Sequence, residues 1–261
     1  MTDGGNLLVE CPVDPPGVLL VTIDRPPVNA LSLAQFRRLG TLFSSIGDTH
    51  PDANCVVLTA SGRMFSAGAD VKELAERTTE SQIARSVISR GAFDAIRRCP
   101  VPIICAVNGP AIGAGVVVAS CADIIIASEM ATFSLPEILV GVMGGTRHMA
   151  RLVSDKVVRY LALTGRKVEA SYLERFGGIH RVTKPDDLLH ATFSLADDIA
   201  RNSPLATRLM KEAINLTEGM PLNEGYRVEQ LFTTLASSLP DSKEAALAFV
   251  EKRKPAWSSR K

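Results

Sequence analysis

Three places in this 261-residue chain carry residues whose types and spacing could do chemistry. The first is Phe65-Ser66-Ala67-Gly68-Ala69-Asp70, which follows a β-branched apolar run and precedes a helical pattern. The second is Gly113-Ala114-Gly115, in the same setting. Each puts small-residue backbone at a helix N-terminus, where N–H groups lack intrahelical partners and the helix dipole is positive. Two such turns meeting at one point would make a pair of backbone donors for a carbonyl oxygen that becomes negative in a transition state. They can equally be tight strand-to-helix turns with no chemical role. The third place is Glu137, a carboxylate between apolar neighbours in Leu135-Pro136-Glu137-Ile138. Burial would raise its pKa and suit it to proton transfer near neutrality. The alternative is a structural acid in the first turn of a helix that opens at Pro136.

Other chemistries fit poorly. A dinucleotide fingerprint needs G-x-G-x-x-G after a strand, whereas the spacing here is Gly109, Gly113, Gly115. A nucleophile elbow needs G-x-S-x-G, and methionine (Met64) stands where the first glycine belongs before Ser66. His148 is one of four histidines and lies beside a glycine-rich loop, but a lone histidine is more often structural than catalytic. The five cysteines show no CxxC pair and no histidines at zinc-ligand spacing, so no metal site is expected.

The elements that must position these residues follow from hydrophobic patterning. Residues 17–24, 54–60, 103–107, 123–127 and 179–183 have the runs of buried strands. Helices are expected from Ser32-Leu33-Ala34-Gln35, a capping box, to about Ile46, from about Val71, and over 81–98. From Pro185 the chain is nearly all helix, over 186–201, 204–217, 223–238 and 241–252. The outcome is an α/β core followed by a helical module. Residues 101–128 carry one charge, Asp123, and 22 uncharged residues (101–122) are long enough to span a membrane. Pro102, Pro110, Asn108 and the turn glycines would break such a helix, so a strand, a tight turn, a short helix and a second strand are expected instead.

Composition narrows the classes further. Net charge of +1, from 29 basic and 28 acidic residues, removes the electrostatic case for nucleic-acid binding. The N-terminal MTDGGNLLVECP has neither a basic nor an apolar signal region, and an odd cysteine count points to a reducing compartment. A cytoplasmic protein without membrane association is expected.

Taken together, the motifs change the reading. Over nearly its full length the chain resembles the crotonase (enoyl-CoA hydratase/isomerase) superfamily. The matches run in order: Arg25-Pro26-Pro27-Val28-Asn29-Ala30-Leu31, Gly62 to Lys72, Pro102 to Gly115, Ala122-Asp123, and Phe133 to Gly141. The resemblance implies a spiral of ββα units (1–200) and a helical region (201–261) that assembles trimers, often paired into hexamers. It implies an acyl-CoA thioester substrate and no metal or redox cofactor. By position it implies the N–H groups of Ala67 and Ala114 as an oxyanion hole and Glu137 as acid/base. It also implies a substrate site lined by Arg25, Ala30, Ala67, Gly68, Ala69, Asp70, Gly113 and Gly115. Lys252-Arg253-Lys254 is either an aid to CoA phosphate binding or a solvated charge run.

The chain also departs from the family. Hydratases of the family carry two glutamates; Glu137 matches the second, and the first falls at Val117, which can neither take nor give a proton. One remaining carboxylate suits double-bond isomerisation, or hydration with Glu137 doing both tasks or with His148 as replacement. Two alternatives stay open: a hydrolase cleaving a C–C bond of a cyclic or β-keto acyl-CoA, and a degenerate acyl-CoA-binding protein. The Gly144 to Leu152 stretch looks like that of actinobacterial paralogues in the superfamily, a cholesterol-ring hydrolase among them.

Overall fold

Two short runs whose one polar residue is Thr59 set the centre of the molecule: β3 (Cys55–Ala60) and β4 (Ile103–Val107). Every residue of both is buried, which only a sheet covered on its two faces accommodates. The computed structural model describes residues 5–75 and 78–258. In it they lie inside a six-stranded sheet of order β1 (Asn6–Glu10), β2 (Val18–Asp24), β3, β4, β6 (Ile124–Ser128), β9 (Arg181–Thr183). The pairs from β2 to β9 are parallel, and β1 closes one edge antiparallel. A smaller sheet has the order β5 (Ala111–Ile112), β7 (Thr132–Ser134), β8 (Lys167–Glu169).

The two-residue period of the strands divides the core. Val56, Leu58, Ile103 and Cys105 face the cluster shared with α1 (Leu33–Thr49), α3 (Thr79–Arg97) and α4 (Ala114–Cys121). Cys55, Val57, Ile104 and Ala106 face the other way, against Leu188, Ala196 and Ala200 of α8 (Leu188–Ala200). Helix α1 buries Phe36, Leu39, Phe43 and Ile46, a helical stripe, and Ser32 Oγ accepts Gln35 N–H at 3.2 Å, one half of the expected capping box; the Gln35 amide has no partner among the described residues to complete it. Helix α3 begins two residues before its expected start because Thr78 and Ser81 form a reciprocal capping box.

The spiral is visible in the order of elements. β4 goes to the large sheet, β5 to the small one, and α4 follows; β6, β7 and a 3-10 turn (Pro136–Val140) repeat the pattern. One turn earlier, β3 is followed by an isolated bridge, Ser66 to Ala111, and then by α2 (Val71–Ala75). The apolar stretch 101–128 therefore resolves into strand, turn, short helix and strand. Among the described residues no helix is long and apolar enough to cross a membrane.

Short helices α5 (Thr146–Met149), α6 (Asp155–Thr164) and α7 (Ala170–Glu174) fill the outer layer before β9. After α8 come α9 (Pro204–Thr217), α10 (Leu222–Ser238) and α11 (Pro240–Glu251). Helix α9 is fastened to the core by Lys211, whose Nζ lies 2.8 Å from Asp123 Oδ2 and 2.9 Å from the Val101 carbonyl. Asp123 Oδ2 also accepts Ile103 N–H at 2.7 Å, so the pair closes the start of β4. A buried cation removed from its partner leaves an uncompensated charge. Lys211→Met should therefore lower unfolding free energy by about 3 kcal/mol, read from the midpoint of a urea transition. An unchanged midpoint would remove Lys211 from the account of how α9 docks.

Candidate active site

The turn 65–70 is held from behind by Asn29. Its backbone is left-handed, with φ 52°, a conformation that asparagine tolerates better than most residues. Asn29 Nδ2 donates to the carbonyls of Ser61 and Met64, both at 2.8 Å, and its Oδ1 accepts Arg25 N–H at 2.9 Å. Ser66 Oγ donates to the Asn29 carbonyl at 2.7 Å and accepts Gly68 N–H at 3.1 Å. That hydroxyl is buried and committed, which disposes of Ser66 as a nucleophile. The framework role of Asn29 and Ser66 was not expected. The signal for Asn29 was its place after two prolines, where the chain must turn.

The two glycine turns meet. Ile112 N–H donates to the Ser66 carbonyl at 2.9 Å, and Phe65 N–H to Pro110 at 3.1 Å. Gly68 has φ +84°, and a Cβ there would stand 2.6 Å from the Ile112 oxygen and 3.3 Å from Ala114 N. A Cβ on Gly115 would stand 2.8 Å from the Ser66 oxygen. Backbone passes against backbone here, and no side chain fits at either glycine.

Which N–H groups remain available follows from the hydrogen bonds. Ala67 N–H donates to the Val28 carbonyl at 2.9 Å, Gly68 N–H to Ser66 Oγ, and Asp70 N–H to Leu31 at 3.1 Å. Ala69 N–H has no acceptor among the described residues. On the second turn, Gly113 N–H donates to Ser134 at 2.9 Å, while Ala114 N–H has no acceptor among them. The expected pairing of Ala67 with Ala114 is thus corrected: Ala67 is engaged by Val28, and the open donor on that turn is Ala69. The reason is tertiary, since Val28 comes from a segment nearly forty residues earlier.

Glu137 sits against the same point. A Cβ on Gly113 would lie 2.5 Å from Glu137 Oε1, so the carboxylate rests on the backbone just before Ala114. Its Oε2 is buried without a hydrogen-bond partner among the described residues, and burial pushes the carboxyl pKa up. A Cβ on Gly144 would meet only Glu137 within 4 Å, with Oε1 at 3.9 Å. Val117 lies one turn into α4 from Ala114 and is buried; a Cβ on Gly145 would come within 3.1 Å of its Cγ2 and 2.8 Å of Leu135 Cδ2. The position for a second acid is an apolar surface.

The remaining expected residues fall in three places. Arg25 Nη1 donates to the Ala30 carbonyl at 2.9 Å and Nη2 to Asp70 Oδ2 at 2.8 Å, so Arg25, Ala30 and Asp70 brace one another. Burial would raise the Asp70 pKa, but Arg25 and the Lys72 N–H hold it below the usual carboxylate range. The His148 ring packs edge-on against Phe93, centroids 5.5 Å apart, and burial followed by the nearby Arg151 lowers its pKa. In the tail, Arg253 is paired with Glu244 and Glu251, which places it in a local ion-pair cluster.

The arrangement brings two backbone N–H donors without acceptors among the described residues close to one carboxylate of raised pKa. The sequence model of the enoyl-CoA hydratase/isomerase family matches residues 14–260. The chain belongs to that family of enzymes, and an acyl-CoA substrate fits it. It is 39% identical over 91% of its length, and 96% of the relative's, to a "(7aS)-7a-methyl-1,5-dioxo-2,3,5,6,7,7a-hexahydro-1H-indene-carboxyl-CoA hydrolase" of Mycobacterium tuberculosis. It is 35% identical to a probable enoyl-CoA hydratase of Mycobacterium bovis, over 92% of the chain and 94% of that protein. A crystal structure of enoyl-CoA hydratase from Bacillus anthracis superposes with a TM-score of 0.92 at 30% identity, covering 97% of this chain and 99% of that one. The crotonase fold expected for the chain is the one it has.

Proposed function

We propose that this enzyme binds the thioester oxygen of an acyl-CoA with the N–H groups of Ala69 and Ala114, stabilising an enolate, and that Glu137 alone moves the proton. The observation that carries the reading is the pair of N–H groups without acceptors among the described residues, beside a half-buried carboxylate whose buried Oε2 has no partner among them either. With Val117 inert, the reaction is one in which a single proton travels. In double-bond migration Glu137 takes it from one carbon and returns it to another. In hydration Glu137 takes it from water, the oxygen adds at the β-carbon, and the proton then goes to the α-carbon. The chemistry as written calls for no metal or redox cofactor.

A second reading, hydrolytic C–C cleavage of a cyclic β-keto acyl-CoA, is favoured by one observation. Two relatives, at 39% and 36% identity, carry the name of a hydrolase of a bicyclic acyl-CoA. Here water adds to the ketone, the C–C bond breaks toward the thioester, and the enolate left in the oxyanion hole is protonated by Glu137. Incubation of 2-enoyl-, 3-enoyl- and cyclic β-keto acyl-CoA in H₂¹⁸O separates the outcomes. Label at the β-carbon identifies hydration, migration without label identifies isomerisation, and a labelled new carboxylate identifies hydrolysis. No turnover of any of them, with tight binding retained, would favour a degenerate binding protein and contradict the proposal.

The same reading includes assembly into trimers or hexamers through the helical region after residue 200, in a cytoplasmic setting. Exposed Leu222, Tyr226 and Leu231 on α10 and Leu247, Phe249 and Val250 on α11 support the assembly.

A further inference from the structure

Arg151, just after α5, reaches three elements at once. Its Nη1 donates to the Ser120 carbonyl in the last turn of α4, and its Nε donates to Glu218 Oε1 at 2.9 Å. Glu218 closes α9, and its Oε2 accepts Arg97 Nη2 at 2.5 Å from the end of α3. Arg97 and Asn215 reinforce that contact reciprocally: Arg97 Nη2 donates to the Asn215 carbonyl at 3.1 Å, and Asn215 Nδ2 to the Arg97 carbonyl at 3.0 Å. Burial would raise the Glu218 pKa, but the two guanidinium groups hold it below the usual range, so it is an anion between two cations.

What Arg151 holds matters because α4 is short. It has eight residues and no side-chain cap at Gly113, so it is a rod of about 12 Å whose direction is set at its ends. One end presents Ala114 N–H, and the other presents the carbonyl that Arg151 takes. A cation at a helix C-terminus is favourable in itself. The loop leading into α5 places Gly144 beside Glu137 and Gly145 on Val117, so Arg151 also ties that loop to α4.

We propose that Arg151 is a positioning residue for the Ala114 donor, and that through Glu218 it couples the docking of α9 to the geometry of the oxyanion hole. The inference rests on the reading that Ala69 and Ala114 bind the thioester oxygen. The acting group is Ala114 N–H; Arg151 fixes where it points.

A conjugated arylacryloyl-CoA tests this, because its absorption band moves to the red when its carbonyl is polarised. Bound spectra, kcat and KM are compared for the wild type, Arg151→Met, Arg151→Lys and Glu218→Gln. The wild type is expected to show the red shift. Arg151→Met should lose most of it, with kcat down about 10- to 100-fold, the scale of a misplacement near 1 Å, and KM within about 3-fold. Arg151→Lys should recover part of both, since an ammonium can cap Ser120 but cannot fork to Glu218. Glu218→Gln, which keeps the shape and loses the charge, should fall between, and it carries the same prediction if Arg151→Met does not fold. A full shift and full kcat in Arg151→Met, or in Glu218→Gln if Arg151→Met does not fold, overturns the inference while the oxyanion reading stands. A kcat loss that only follows the folded fraction overturns it equally. No red shift in the wild type overturns the oxyanion reading itself and the inference with it.

Discussion

Glu137→Gln is expected to lower kcat by about two to four orders of magnitude while KM stays nearly level, because a positioned general acid/base contributes on that scale. The variant keeps the volume and the contact with Gly113 but cannot exchange a proton. The pH profile adds a second readout. Burial raises the Glu137 pKa, so the acid limb of kcat/KM, where the carboxylate is protonated and cannot act as base, should lie above the ordinary glutamate range. That limb should vanish in the variant. The sign for stability runs the other way. A carboxyl whose folded pKa is raised costs nothing at low pH, and its cost appears as pH rises through the window between the unfolded and folded pKa. Glu137→Gln should therefore be at least as stable as the wild type at neutral pH. A variant both less active and less stable would indicate a structural role.

Gly68→Ala should cost about 10²- to 10³-fold in kcat, the loss seen when one oxyanion donor is removed. The added methyl would stand 2.6 Å from the Ile112 carbonyl oxygen, a backbone atom that cannot swing aside, and 3.3 Å from Ala114 N. Relief requires the two turns to separate, and that separation moves Ala69 and Ala114 apart. Gly62→Ala is the control. Gly62 has a similar φ, +74°, but nothing within 4 Å of its missing Cβ. It should lose about 1–2 kcal/mol of stability from backbone strain and none of its kcat. Equal kcat losses in the two variants would show that strain alone, not separation of the donors, is responsible.

Much of the fold was legible in the chain. The largely apolar runs of β3, β4 and β6 announced buried strands of an α/β core, and Ser32 announced the start of α1. Gly113-Ala114-Gly115 and Glu137 stood out by residue type and spacing, which left a structural role open for each; the family resemblance supplied the expected roles. Two things were not legible, each because it depends on distant contacts. The choice of Ala69 over Ala67 turns on the carbonyl of Val28. The link from α4 to α9 depends on Arg151 and Glu218, 67 residues apart in sequence. Strand β1 was missed because its residues are mostly exposed and it exists only by pairing with β2.

The most direct test of the central claim is wash-in of deuterium at the α-carbon of a bound acyl-CoA, followed by NMR in D₂O for the wild type and Glu137→Gln. An enolate held by Ala69 and Ala114 and reprotonated only by Glu137 predicts exchange in the wild type and none above background in the variant. Exchange that persists in Glu137→Gln would show that another group moves the proton, and would contradict the account.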